Sequence, residues 1–186
     1  MMDVAPTSFP GLFVLKPQRF EDQRGFFCES YNKGRFKSAH GLDVDFVQDN
    51  LSFSGPRLTV RGLHFQRQPW AQAKLVTVVR GAVKDAVVDL RRNSPYFGQH
   101  FLITLSAAEG NQLFIPIGFA HAFLTLEPDT LLTYKVSNYY SSDYDTGIRF
   151  DDAALAIDWG FERKLMVSSD KDRRLPAFDP MGNYFP

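Results

Sequence analysis

Along most of this chain, apolar residues either alternate with polar ones or run in short β-branched blocks separated by turn residues. Segment 76–91, VTVVRGAVKDAVVDLR, is two such blocks around Arg80 and Gly81, the composition of a hairpin. Segment 100–126 repeats the idea: a strand, a polar turn near Glu109 to Asn111, a strand, a Pro/Gly break and a further strand. LLTYKVSNYY, 131–140, alternates again. Helical periodicity is confined to 32–41, closed by Gly41, with a weaker trace over 151–157. Strands recurring about every 8–12 residues with few helices predict an all-β sandwich or barrel. The polar stretch SSDKDRRLPAFDP, 168–180, reads as a tail laid over the barrel, the alternative being a poorly ordered end.

One strand carries unusual cargo. RGLHFQ, 61–66, places Arg61 and His64 in an apolar context supplied by Leu58, Val60, Leu63 and Phe65. Two strand residues three apart point to opposite faces of a regular pleat. Gly62 between them permits a bulge that turns both side chains towards one space.

Composition then narrows the function by exclusion. The 186 residues suffice for one domain with a sizeable core, and the expectation is a single domain over 1–186. Apolar residues make up 44% and charged residues 23%, an ordinary globular balance. With 21 basic and 21 acidic residues, nothing in the global field favours nucleic acid or an anionic membrane, so an anionic ligand must meet a local cluster. The single cysteine, Cys28, excludes an intramolecular disulfide and a cysteine-rich zinc site, and reads as a plain strand residue. The N-terminal MMDVAPTSFPG lacks the apolar run of a signal peptide, and no segment has the length of a membrane span; the expected location is cytoplasmic.

Ionisable residues within strands are the informative ones, because an unpaired buried polar group costs about 1–3 kcal/mol. Arg61, His64, Lys74, His121, Tyr134 and Lys135 all lie in or beside apolar runs. A lone histidine there is more often a satisfied structural residue, Lys74 has the alternative of an exposed strand lysine, and Tyr134, Tyr139 and Tyr140 that of strand aromatics. Together they look like the lining of a cavity at a barrel mouth. The four histidines, His40, His64, His100 and His121, form no close pair, so a metal would need Asp85 or Asp89 to join His64 and His121; no metal is expected. GNQLF and GFAHAF carry no phosphate-loop spacing, and no nucleophile elbow is present.

Taken together, RGLHFQ, AQAKLVTVVRGAVKDAVVDLRRNSPYFG, LFIPIGFAHAFLTL, YKVSNYYSSDYDTGIRF and IDWG resemble the dTDP-4-dehydrorhamnose 3,5-epimerases, the RmlC group of nucleotide-sugar enzymes. PQRFEDQRGFFCESYN and SSDKDRRLP fit the same pattern, so the resemblance covers nearly the whole chain in order. It implies a cupin-type antiparallel β-sandwich (jelly roll), a homodimer, no cofactor, and a dTDP-linked 4-keto-6-deoxyhexose as substrate. By the same resemblance His64 falls on the catalytic base, Asp172 on the carboxylate that orients it, and Tyr134 on the proton donor at the opposite face of the sugar. Lys74, His121 and Arg61 match the lining of the sugar and its keto oxygen. Arg24, Phe27 and Glu29, with Gln48, Asp49 and Asn50, match the nucleotide-binding set, part of which comes from the partner subunit. Tyr140, Asp145 and Lys171 fall on further substrate contacts. This chain departs in three places: Phe65 stands where a tyrosine is common, Asp145 where a glutamate is usual, and VSSDKD is one residue longer.

The chemistry implied is removal of hydrogens at C3 and C5, acidic because each adjoins the C4 carbonyl, with a base on one face and an acid on the other. A histidine of ordinary pKa ~6.5 suits the base role, and a lysine near the C4 oxygen suits the developing negative charge. Two further readings stand beside it: a single-centre epimerase on a related nucleotide keto-sugar, and a non-catalytic sugar-binding cupin. Read without the family, Arg24 is a turn residue after Asp22.

Overall fold

A computed structural model describes residues 2–186, with the side chains of Ala39 and His40 outside the described residues. The chain opens with β1 (Met2–Pro6), β2 (Phe13–Pro17), β3 (Arg19–Asp22), β4 (Gly25–Cys28) and helix α1 (Lys33–His40). It continues through β5 (Gln48–Ser54), β6 (Val60–Gln66), β7 (Lys74–Arg80), β8 (Ala82–Asp89), β9 (His100–Ser106) and β10 (Gln112–Ile115). It closes with β11 (Phe119–Thr125), β12 (Thr130–Val136), β13 (Asp145–Gly147), a 3-10 turn at Arg163–Leu165 and helix α2 (Asp170–Arg173).

Among the described residues the strands form a six-stranded sheet, β1-β2-β10-β7-β12-β5, a five-stranded sheet, β13-β6-β11-β8-β9, and the small ribbon β3-β4, all antiparallel. The two large sheets pack as a sandwich, the all-β class expected from the strand rhythm and the jelly-roll form that the resemblance implies. Val76, Val78, Val83, Val87, Leu105, Leu113 and Leu132 fill the space between them. Helix α1 covers part of the six-stranded sheet through Phe36, packed with Leu15, Leu75 and Phe114. Asn32 caps this helix by accepting from the Arg35 amide at 3.1 Å, and Gly41 ends it at φ 64°, the left-handed turn that favours glycine. No helix of the described residues is long and apolar enough to cross a membrane.

The expected hairpin at 76–91 does not form. β7 pairs with β10 and β12 in one sheet, whereas β8 pairs with β11 and β9 in the other. Gly81, at φ 81°, turns the chain across the sandwich instead of back along it, and both strands are mostly buried. The weak helix expected at 151–157 is also absent. Asp152 caps a single turn through the Ala154 amide at 2.9 Å, and Ala156 at φ 47° breaks it. The alternating strand expected at 131–140 stops at Val136, and Ser137 to Tyr140 leave the sheet. The segment 168–180 does lie over the sandwich: Asp172 is buried, and Phe178 packs against the cluster in which Phe150, Leu155, Trp159 and Phe185 meet Val60, Leu63 and Phe65 of the five-stranded sheet. Val167 is stitched beside β6 through the Val60 amide at 2.8 Å, which brings α2 to the mouth of the sandwich.

Candidate active site

The site begins with an irregularity in β6. His121 of β11 stands opposite His64 and Phe123 opposite Arg61, so two steps along β11 match three along β6. The extra residue is a bulge, and Gly62 occupies it at φ 116°. A Cβ at this glycine would stand 2.5 Å from the carbonyl oxygen of His121. The bulge resets the pleat, and Arg61 and His64 both line one cavity of about 590 Å³ between the sheets.

The two walls contribute different chemistry. From the five-stranded sheet come His64 and Arg61 on β6 and His121 on β11; from the six-stranded sheet come Lys74 on β7 and Tyr134 on β12. Helix α2 adds Lys171 and Asp172 at the rim. A smaller adjoining recess shares His64, Lys74, Tyr134 and Lys171, and adds Gln48, Asn50, Tyr140 and Asp145.

His64 Nε2 lies 2.7 Å from Asp172 Oδ1, and the histidine ring is part-exposed to the cavity while the carboxylate is buried. Asp172 is held twice more, by the Gly62 amide donating to Oδ2 at 3.3 Å and by its own amide donating to Ser169 Oγ at 3.0 Å. Burial alone would raise this carboxyl, but His64, the Gly62 amide and Ser169 together bring it below the ordinary carboxylate range. Lys74 is buried, and burial pushes its ammonium down to about 8, against the opposing charges of Asp145 and Asp85. Its Nζ reaches the carbonyl oxygen of His64 at 3.5 Å. Burial also raises the Tyr134 phenol, Asp145 adds to the effect and Arg61 opposes it, so Tyr134 keeps its proton at neutral pH. Lys171 donates to Asp145 Oδ2 at 2.5 Å, and the Tyr140 hydroxyl lies 3.4 Å from the same oxygen.

Thus Arg61, His64, Lys74, His121, Tyr134, Tyr140, Asp145, Lys171 and Asp172 are brought together, with Gln48 and Asn50 beside them. The exposed-lysine alternative for Lys74 does not hold. Asp49 is not in this group: β5 alternates, and Asp49 faces outward and pairs with Lys135 at 2.9 Å. Arg24 and Phe27 sit on the exposed ribbon, where Arg24 pairs with Asp22 at 2.5 Å in the turn reading. Glu29 holds Arg35 at 3.1 Å, near the start of α1. None of these three lines the cavity of its own chain.

Two contributors escaped the sequence reading. Gln66, buried, donates to the carbonyls of Trp70 and Tyr139 and accepts from the Ser141 amide, fixing the loop that presents Tyr140. Asp85, weighed only as a metal ligand, pairs with His121; a carboxylate in the middle of a β-branched run was its signal. Among the described residues no group of three or more His, Cys, Asp or Glu side chains is placed to hold a metal ion.

Residues 6–180 match the family model described as dTDP-4-dehydrorhamnose 3,5-epimerase. The dTDP-4-dehydrorhamnose 3,5-epimerase of Salmonella typhimurium is 46% identical over 179 residues, spanning 96% of this chain and 97% of its own. The crystal structure of the Bacillus anthracis dTDP-4-dehydrorhamnose 3,5-epimerase, with TDP and PPi bound, superposes with a TM-score of 0.92 at 48% identity, covering 96% of this chain and 100% of that one. The Legionella pneumophila enzyme RmlC, in complex with dTDP-4-keto-L-rhamnose, superposes with a TM-score of 0.89 at 36% identity, over 96% and 100% of the two chains. This chain belongs to the dTDP-4-dehydrorhamnose 3,5-epimerase family.

Proposed function

We propose that the protein binds a dTDP-linked 4-keto-6-deoxyhexose and inverts C3 and C5 through an enolate, as the 3,5-epimerase of dTDP-rhamnose biosynthesis. One observation carries the residue roles: His64 with Asp172 stands on one wall of the cavity and Tyr134 on the other. In this reading His64 takes the proton, and the electrons of the broken C–H bond move onto the C4 oxygen. Asp172 supports the imidazolium so formed. Lys74, charged at neutral pH and shielded from water, stabilises the enolate oxygen without reorganisation. Tyr134 then returns a proton to the opposite face, and both groups are reset by exchange with solvent. Arg61 and His121 hold the sugar, and Tyr140, Asp145 and Lys171 make further substrate contacts from the adjoining recess.

The test compares deuterium uptake with product formation in deuterated water. His64→Asn should lose both, because no enolate forms, while Tyr134→Phe should retain exchange and lose inversion. Each loss should be about 10²–10⁴-fold. Near wild-type exchange in His64→Asn would place the base elsewhere. Exchange at one carbon alone in the wild type would favour a single-centre epimerase, and none at all a binding protein.

A further inference from the structure

Beneath the cavity floor lies an ionisable group that the mechanism above does not use. Asp85, on β8, shares the inward face of that strand with Val83 and Val87 and is fully buried. It does not line the cavity. Its Oδ2 meets His121 Nε2 at 2.8 Å, while Oδ1 is buried without a hydrogen-bond partner. A carboxylate so placed is costly to desolvate, and here one oxygen is left uncompensated. Its charge also acts on Lys74, which stands on the facing sheet.

We propose that Asp85 is a positioning residue for the reaction: through His121 it sets which ring nitrogen is left for the sugar, and its buried charge bears on Lys74 of the facing sheet. The inference rests on the proposed function of this cavity. An ionised Asp85 accepts from Nε2–H of His121, so the neutral ring offers Nδ1 as an acceptor for a sugar hydroxyl. Without that partner either tautomer is open, and half of the possible ring states would present a donor instead. The second effect is electrostatic. Lys74 is surrounded by Asp85 from β8, His121 from β11, His64 and Arg61 from β6, Tyr134 from β12 and Asp145 from β13. Two of the neighbouring charges are engaged locally: Asp145 holds Lys171 of α2, and Asp172 of α2 holds His64. Asp85 has His121 as its one side-chain hydrogen-bond partner, and its charge acts on Lys74 second to that of Asp145. Burial raises the Asp85 carboxyl, and His121 followed by Lys74 oppose that rise.

The experiment is the pH profile of kcat/KM for Asp85→Asn beside the wild type, with dTDP binding measured by calorimetry. Removing the negative charge should move the basic limb to lower pH by about half a unit or more. It should lower kcat roughly 10–100-fold, with dTDP affinity unchanged. Asp85→Glu should restore part of the limb. In parallel, nitrogen-15 NMR of histidine-labelled wild-type protein should find His121 protonated at Nε2 and bare at Nδ1, a measurement independent of turnover and of the variant's folding. An unmoved basic limb in a folded Asp85→Asn, or His121 protonated at Nδ1 in the wild type, would overturn the inference. Absence of hydrogen exchange at C3 and C5 in the wild type would instead overturn the proposed activity.

Discussion

Lys74 shows what this site costs the fold. A lysine whose folded-state pKa lies below its unfolded one binds fewer protons when folded, here between about 8 and 10.5. Stability therefore rises with pH across that window, and the cost of the buried ammonium is fully present below pH 8. The shift corresponds to roughly 1–3 kcal/mol once relaxation of the interior is allowed for. Lys74→Met, which keeps the stem and removes the charge, should raise the melting temperature at pH 7 while abolishing turnover. That gain should shrink as the pH rises towards 10.5, above which the wild-type lysine becomes neutral in both states. Denaturant unfolding of the two proteins at pH 7 and pH 10 checks this, and a destabilised Lys74→Met at pH 7 would refute it. Asp172 has the opposite sign: its lowered carboxyl stabilises the folded chain above the ordinary carboxylate range, and that contribution is lost as pH falls through the lowered value.

At the scale of elements, the bulge in β6 decides whether the two sheet walls face each other with chemistry or with Leu63. Gly62→Ala would set a methyl against the His121 carbonyl in a backbone at φ 116°, and neither obstacle can yield without moving β11. We expect a loss of at least about 2 kcal/mol in urea unfolding and near-complete loss of activity. A stable, active Gly62→Ala would mean that the register of β6 is not what aligns Arg61 with His64. This element was legible in the sequence, because a glycine between two polar residues of an apolar strand has few other uses. Strand positions were legible too, since β-branched runs and turn residues are local signals. Strand partners were not. Arg80-Gly81 reads as a hairpin because composition records a reversal of direction, whereas the choice between pairing back and crossing to the facing sheet depends on β10, β11 and β12, which arrive later in the chain. The same limit hid the His121–Asp85 pair, which unites residues 36 apart on neighbouring strands, and the inward or outward facing of Asp49, which is fixed by the pairing of β5 with β12. The roles of His64, Asp172 and Tyr134 came from family resemblance, since no spacing rule connects residues so far apart in the chain.

At the scale of the whole molecule, the cavity described above lacks part of its expected nucleotide set. Arg24 and Phe27 lie on the β3-β4 ribbon, with Phe27 71% exposed and Phe20 and Phe26 more than half exposed. The outer face of the six-stranded sheet likewise leaves Leu51, Phe53 and Val79 open to water. Apolar surface of this kind marks an interface, and the expected homodimer supplies its occupant. We propose that the ribbon of each protomer completes the nucleotide site of its partner. Complementation tests this directly. Arg24→Ala and His64→Asn homodimers should each be impaired, the first in nucleotide affinity and the second in chemistry. Subunits exchanged between the two would form heterodimers with one intact site and one doubly impaired site. Random exchange makes half of the dimers mixed, so activity at subsaturating substrate should recover to about a quarter of wild type. If each chain instead completed its own site, no combination would restore an intact one, and the mixture would show only the residual activity of Arg24→Ala. Sedimentation of the wild type sets the premise, because a fully active monomer would leave the exposed ribbon without the role assigned to it.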